Sequence, residues 1–475
     1  MYSLFICGKM YNLFEGINMR RAAFLSYDWN YNIITDLYRG AGISAREHAD
    51  TQLFIFSAFG EDGKSSPETG AFEIFRLCNP EDYDGFIIQG NRAWPPAMRQ
   101  ETVQRLRKFG KPVVSVNYEL EDTVYAGTDN YEAMYGLVRR VLKESRCRRP
   151  AFVNGLETSI EAQQRSKGFF DACKEAGFEK PDFYQASWQI EEGVRTAREM
   201  LRDRSNIPDM IFCCNDDLAA GVQETLQNAG IHIPEDVRIT GFDNREHSLR
   251  SQPRITTVDR DYLTIGYNAM KTLCDLMDGK DVPAAVYSPV RYVFSESAGM
   301  QNTTETIESI RSVYYSIDKA MRQFYETLIR FQPAVLKADT LPEILSVCEE
   351  YFPQLKLPAV YLVLNNDFLS DQSGTAPVGY GSRSSLAGCA NGCPQLAPDH
   401  IYGEFDTREL LPQNIRMNAS MYIIYPLRDE GTCIGYFITE GISPSMKYGF
   451  LTVILTLVSA AVQNVRRKEL LQNSR

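Results

Sequence analysis

The sequence predicts an α/β fold built on parallel sheets, followed by a connecting helix and a smaller α+β domain. Three observations carry this. Seven short apolar runs in the first half alternate with amphipathic helical stretches, the pattern of parallel strands covered by helices on both faces. Two neighbouring runs end in polar clusters, Asn215-Asp216-Asp217 and Gly241-Phe242-Asp243-Asn244, at the carboxyl edge where an open parallel sheet binds small ligands. Beyond residue 300 the order changes to helix, strands, helix.

Residues 1–14 lack a basic leading segment, carry Lys9 inside their apolar stretch and end in no small-residue cleavage site, so they do not read as an export signal. Residues 1–19 are an extension or a misassigned start, since Met19-Arg20-Arg21 directly precedes the first run. The runs lie at 22–26, 53–57, 85–89, 112–116, 151–154, 210–213 and 237–240. From 208 to 244 the pattern is strand, helix, strand, with Gly230 stopping the helix.

A helix is expected over 305–332. Its apolar residues Ile310, Tyr314, Ile317, Met321, Phe324 and Leu328 step by four and three, a seam that pairs two helices or docks on a domain core. Pro333 marks its expected end. A helix at 341–351, a strand at 359–364, a Gly/Ser/Pro-rich loop at 370–398 and strands near 421–425 and 435–440 follow. The last helix carries Leu451, Ile454, Val458, Ala461 and Val465 at heptad spacing and ends in Arg466-Arg467-Lys468, as a signalling helix leading to an output domain does. With the run from Tyr425 to Phe437, this order over 333–475 resembles a GAF-like sensory domain.

Composition narrows the function classes. The 475 residues allow two or three domains, and 44% hydrophobic with 23% charged residues is ordinary for a globular chain. A net charge of −11 disfavours a broad basic face for phosphate backbone. Eleven cysteines form no framework, and Cys213-Cys214 lies inside an apolar strand, which suits a reduced, cytoplasmic compartment. Cys389 and Cys393 have only His400 nearby and no second pair at zinc spacing, so no metal is expected. The apolar stretch 450–462 is too short to span a bilayer. Gly63-Lys64-Ser65 lacks the glycine a phosphate loop needs at position 58, where Ala58 stands. No nucleophile elbow, no His-Glu-x-x-His helix and no singled-out carboxylate pair is present, so neither enzyme activity nor a cofactor is expected.

The strings NDDLAAG (215–221), IPEDVRITGFDN (233–244), ITTVDRDYLTIGYNAM (255–270) and the stretch 150–178 resemble the ligand-binding core of LacI/GalR-type regulators, relatives of periplasmic sugar-binding proteins. The resemblance covers about 20–300. It implies two lobes, 20–147 plus 255–280 and 148–253 plus 282–300, with chain crossings near Arg148, Arg254 and Val282. It also implies a helix-turn-helix and hinge before the first strand, which 1–19 do not supply, so no direct DNA binding is expected of this chain alone.

The same resemblance assigns candidate ligand residues. Arg165, in Gln-Arg-Ser-Lys-Gly-Phe, matches the ligand-gripping arginine, whose fork donates to two hydroxyls or a carboxylate; its other reading is a surface arginine paired with Glu161. Asp243 matches the ligand aspartate, or else caps the turn into the next helix. Asn215 is favoured for the ligand and Asp216 for capping. Trp188 matches an aromatic position against the ligand's apolar face, with core packing as the alternative. Asp28, Trp29 and Tyr31 follow the first strand, Gln89 and Asn91 the third, and Asn117 the fourth. Asp129 matches a position that reaches the ligand or caps the following helix. Together they suggest an aromatic-rich, hydroxyl-reading crevice.

The expected function is a cytosolic, homodimeric sensor that binds a sugar or related metabolite between two lobes and passes closure to a carboxyl-terminal signalling module. The alternative is a LacI/GalR-class transcription regulator whose DNA-binding or other output region lies outside this chain. A sugar-processing enzyme is the third reading.

Overall fold

Long apolar runs become strands buried on both faces, and the stripes between them become covering helices. The computed structural model describes residues 19–28, 31–59, 71–90, 94, 96–301, 307–357, 359–370, 379–390, 402–413, 415, 417–429, 432–442 and 449–473. In chain order the elements begin with β1 (Arg20–Asp28), α1 (Tyr31–Glu47), β2 (Thr51–Phe59), β3 (Gly85–Gln89), α2 (Pro96–Arg107) and β4 (Val113–Val116). Next come β5 (Val124–Gly127), α3 (Asn130–Glu144), β6 (Pro150–Asn154), α4 (Ile160–Glu175), β7 (Asp182–Gln185) and α5 (Ile190–Met200). They are followed by β8 (Met210–Cys213), α6 (Asp216–Asn228), β9 (Arg238–Thr240), α7 (Glu246–Arg250), β10 (Thr257–Asp259) and α8 (Tyr262–Met277). β11 (Ala285–Tyr287) and β12 (Arg291–Val293) precede α9 (Ile307–Lys337) and α10 (Leu341–Tyr351). The chain closes with β13 (Val360–Asn365), α11 (Asn366–Ser370), β14 (Arg383–Ala390), β15 (Tyr402–Asp406), β16 (Met421–Asp429), β17 (Thr432–Glu440) and α12 (Phe450–Asn473).

These elements divide into two compact units, one of residues 1–114, 270–282 and 333–475, the other of 115–269 and 283–332. The division differs from the lobes that the resemblance implies: 115–147 and 255–269 lie in the second unit, and the carboxyl-terminal third shares the first.

The first unit holds a sheet in the order β4-β3-β1-β2-β16-β17-β13-β14-β15. β1 pairs in parallel with β2 and β3, and its Phe24 and Leu25 are fully buried beside Phe56, Ile87 and Ile88. β2 also pairs in parallel with β16, Leu53 opposite Met421 through Phe56 opposite Ile424. The Phe54 and Tyr422 rings stack across this junction at 5.5 Å. From β16 onward the pairing is antiparallel. At Gly435 the backbones of β17 and β13 approach so closely that a Cβ would lie 2.0 Å from the Val363 carbonyl oxygen. An α+β region therefore continues the parallel sheet edge to edge.

Three expectations change here. The segment 370–398, expected as loop, contains β14, whose Leu386 and Ala387 are buried. α9 runs through Pro333 to Lys337; the proline is exposed, where water can hydrate the carbonyl it leaves unpaired. The heptad residues of α12, Leu451, Ile454, Val458, Ala461 and Val465, are all buried, and the helix packs on β16, β17 and α10. That seam belongs to the core of its own unit.

The second unit is organised by a parallel four-stranded sheet, β7-β6-β8-β9, with Phe152, Phe212, Ile211 and Ile239 wholly buried. β10 pairs antiparallel with β12, and β11 in parallel with β5. α3 lies tightly against α4 because Gly168 has no side chain: a Cβ there would stand 2.6 Å from the Tyr131 carbonyl oxygen.

Candidate functional site

Arg165 sits on the buried stripe of α4, with Ala162, Gly168, Phe169, Ala172 and Cys173, so helical periodicity turns its guanidinium into the unit. Only 1% of the residue is exposed. A buried cation must be paired and hydrogen-bonded to persist, and this one is. Nε donates to Asn130 Oδ1 at 2.9 Å, Nη1 to the Cys214 carbonyl at 2.7 Å and Nη2 to Asp243 Oδ1 at 3.4 Å. The Phe242 ring lies 3.8 Å from the guanidinium carbon. The surface-arginine reading fails because the side chain is enclosed; Glu161 Oε1, at 4.0 Å, is one of its longer ionic partners.

Asp243 follows β9 with φ of 102°, a left-handed conformation that disfavours any residue except glycine. Its amide donates to the Val258 carbonyl at 2.8 Å, tying the turn to β10. It caps no helix: Arg245 precedes α7, which receives no side-chain cap. Its Oδ1 stands between Arg165 Nη2 at 3.4 Å and Arg260 Nη1 at 3.5 Å.

Arg260 leaves the end of β10. Its Nε donates to Thr128 Oγ1 at 3.1 Å and its Nη2 to Glu161 Oε1 at 2.9 Å, beside the Tyr262 ring at 5.1 Å. Burial opposes its charge, but Tyr262, Glu161 and Asp243 outweigh that and hold its pKa well above the usual arginine value. Two buried guanidiniums, Arg165 and Arg260, and two partly exposed carboxylates, Asp243 and Glu161, thus form a quartet whose formal charges cancel. Trp188 is half-buried, its ring against Gly155, where a Cβ would meet the indole at 2.7 Å, and 5.8 Å from the Arg165 guanidinium.

Several expected residues serve other purposes. Asn215, expected at the ligand, is the N-cap of α6, Oδ1 accepting from the Leu218 amide at 3.0 Å and Nδ2 donating to the Trp188 carbonyl at 3.0 Å. Asp216, expected to cap, instead accepts from Thr257 Oγ1 and the Arg245 amide, both at 2.6 Å, joining α6 to β10 and α7. Burial raises its pKa well above the carboxylate range despite those donors. Asp129 caps α3, accepting from the Glu132 amide at 2.9 Å. Gln89, in the first unit, is wholly buried and accepts from Ser26 Oγ at 2.8 Å and the Tyr27 amide at 3.3 Å, which ties β3 to β1, while its Nε2 has no hydrogen-bond partner among the described residues. Asn117 is half-buried with φ of 63°, and its Oδ1 has no hydrogen-bond partner among the described residues. Trp29 and Asn91 lie outside the described residues, as do the side chains of Asp28 and Tyr31.

Arg260, Glu161 and Asn130 were not among the candidate ligand residues, Glu161 having been considered only as a surface partner of Arg165. Arg260 had a signal, standing at a strand exit within ITTVDRDYLTIG; Glu161, one turn before Arg165, had a weaker one. The quartet and the indole offer donors, acceptors and an apolar ring together. Burial pushes the nearby Cys214 thiol up to about 12, which leaves it inert. Among the described residues no cluster of His, Cys, Asp and Glu could hold a metal ion, and no helix is long and apolar enough to cross a membrane.

Residues 140–297 match the family model of the periplasmic binding protein-like domain. Catabolite control protein A of Priestia megaterium is 30% identical over 45% of this chain and 64% of its own length. The arabinose metabolism transcriptional repressor of Halalkalibacterium halodurans is 22% identical over 59% and 74%, and the HTH-type transcriptional repressor CytR of Escherichia coli 26% identical over 52% and 70%. The chain therefore spans just under two thirds of the first of these relatives. Among solved structures, the complex of the transcriptional regulator CelR with cellobiose aligns with a TM-score of 0.49 at 21% identity, over 59% of this chain and 86% of that one.

Proposed function

We propose that this chain, whose residues 140–297 match the periplasmic binding protein-like domain, is a ligand-responsive transcription regulator of the LacI/GalR type whose effector is a sugar or related hydroxyl-rich metabolite. The observation that carries this reading is the Arg165–Asp243 contact, with a strained aspartate backbone, beside the Trp188 ring. The two guanidiniums are already matched by two carboxylates, so a neutral polyol can exchange hydrogen bonds with the quartet and leave no charge uncompensated. Trp188 covers the apolar face of such a ring.

The relatives' names favour transcriptional regulation over the signalling-module reading, and the burial of the α12 heptad withdraws the main sequence argument for the latter. The proposal includes a cytoplasmic homodimer that reaches DNA through a partner or a region outside residues 20–475.

The test begins with thermal shift of the purified protein against a panel of sugars and metabolites. Transcripts are then compared between wild-type cells and cells carrying Arg165→Met, with and without the effector found. A ligand-dependent transcript change in the wild type that Arg165→Met abolishes is expected. Tight binding of an effector with identical transcripts in both strains would sink the proposal.

A further inference from the structure

α9 has two sides. Phe324, Thr327 and Phe331 are buried, whereas Tyr315, Tyr325 and Ile329 are 71%, 51% and 71% exposed. At 3.6 residues per turn the exposed three share one face with Asp318 and Arg322. Single exposed apolar side chains are ordinary on a protein surface, but three along one face of one helix are a contact stripe. The seam read from the sequence is a different one: of its described members Phe324 is buried and Met321 and Leu328 half-buried, so it is already in use.

We propose that the Tyr315–Tyr325 stretch of this face pairs with the same stretch of a second copy of this chain, the two helices running antiparallel about a two-fold axis level with Ala320, with Ile329 beyond the paired layers. The positions 315, 318, 322, 325 and 329 alternate steps of three and four, the spacing by which helices interlock. In an antiparallel pair centred on Ala320, Tyr315 meets Tyr325 of the second copy and Asp318 meets its Arg322, and the two-fold repeats both layers. Two aromatic layers then enclose two opposite-charge layers. A parallel pair would stack Asp318 on Asp318 and Arg322 on Arg322 between the same tyrosines, which charge repulsion opposes. Within one copy Asp318 Oδ2 already accepts from Arg322 Nε at 2.9 Å, so both charges lie where a second helix can share them.

Sedimentation velocity on the full chain tests this. The wild type should be a dimer; Asp318→Arg and Arg322→Asp should each weaken association about tenfold or more, and mixing the two variants, or combining them in one chain, should restore it. Direction is read by oxidation in a background with accessible native cysteines replaced. Tyr315→Cys mixed with Tyr325→Cys should cross-link, and neither should do so alone. A monomeric wild type, or a dimer indifferent to both charge reversals, would overturn the proposal. Cross-linking of either cysteine variant by itself would overturn the antiparallel register.

Discussion

At the scale of single residues, the quartet makes opposite demands on binding and stability. Arg165→Met should weaken effector binding about tenfold to ten-thousandfold, since each charge-assisted hydrogen bond is worth about 1.5–3 kcal/mol; calorimetry checks it. Because Arg165 is 1% exposed, the same change should also lower the melting temperature. Asp243→Ala leaves two buried guanidiniums sharing Glu161 and should destabilise the protein by about 3–5 kcal/mol in denaturant titration. A loss below about 1 kcal/mol would mean that the carboxylate is solvated and the quartet is not a unit. That Arg165 and Asp243 belong to one cluster was legible because each stands in a motif, one on a helix stripe and one at a strand exit. The cap of α6 was expected at Asp216 and stands at Asn215, because adjacent residues at one exit offer the same chemistry and only the backbone decides which caps.

At the scale of elements, the β2–β16 junction is the least legible feature and the most consequential. Each strand reads as an apolar run, and a run buried on both faces names no neighbour. A chain ending at residue 305 should expose the β2 edge and aggregate, visible as high-mass species in light scattering. A monodisperse, cooperatively melting fragment would show that β16 is dispensable. Gly435→Val drives a side chain into the Val363 carbonyl and should lower stability by about 1–3 kcal/mol. The extent of α9 was misjudged for a related reason: a proline breaks a helix where its lost hydrogen bond is buried, and Pro333 is exposed.

At the scale of the whole molecule, alternation and length made the α/β class readable, and ordered motifs made the periplasmic-binding-protein-like type readable. Which segments assemble into each compact unit was not, because contacts between residues hundreds of positions apart leave no local pattern. Effector at a hundred times its Kd should stabilise the folded protein by about 2.7 kcal/mol. Hydrogen exchange should slow at 159–165, 240–245 and 257–262, the segments that carry the quartet. Protection confined to other segments would move the site elsewhere.

The pairing of β2 with β16 also sets a timetable for synthesis. Some 360 residues separate the two strands, so at about 5–20 residues per second the ribosome delivers β16 roughly 20 to 70 s after β2. Throughout that interval Phe54, Ile55 and Phe56 are part of a nascent chain whose sheet still has an open border. Maturation of the first unit is in this respect post-translational, and holding chaperones that shield apolar strands are the cellular factors on which its yield should depend.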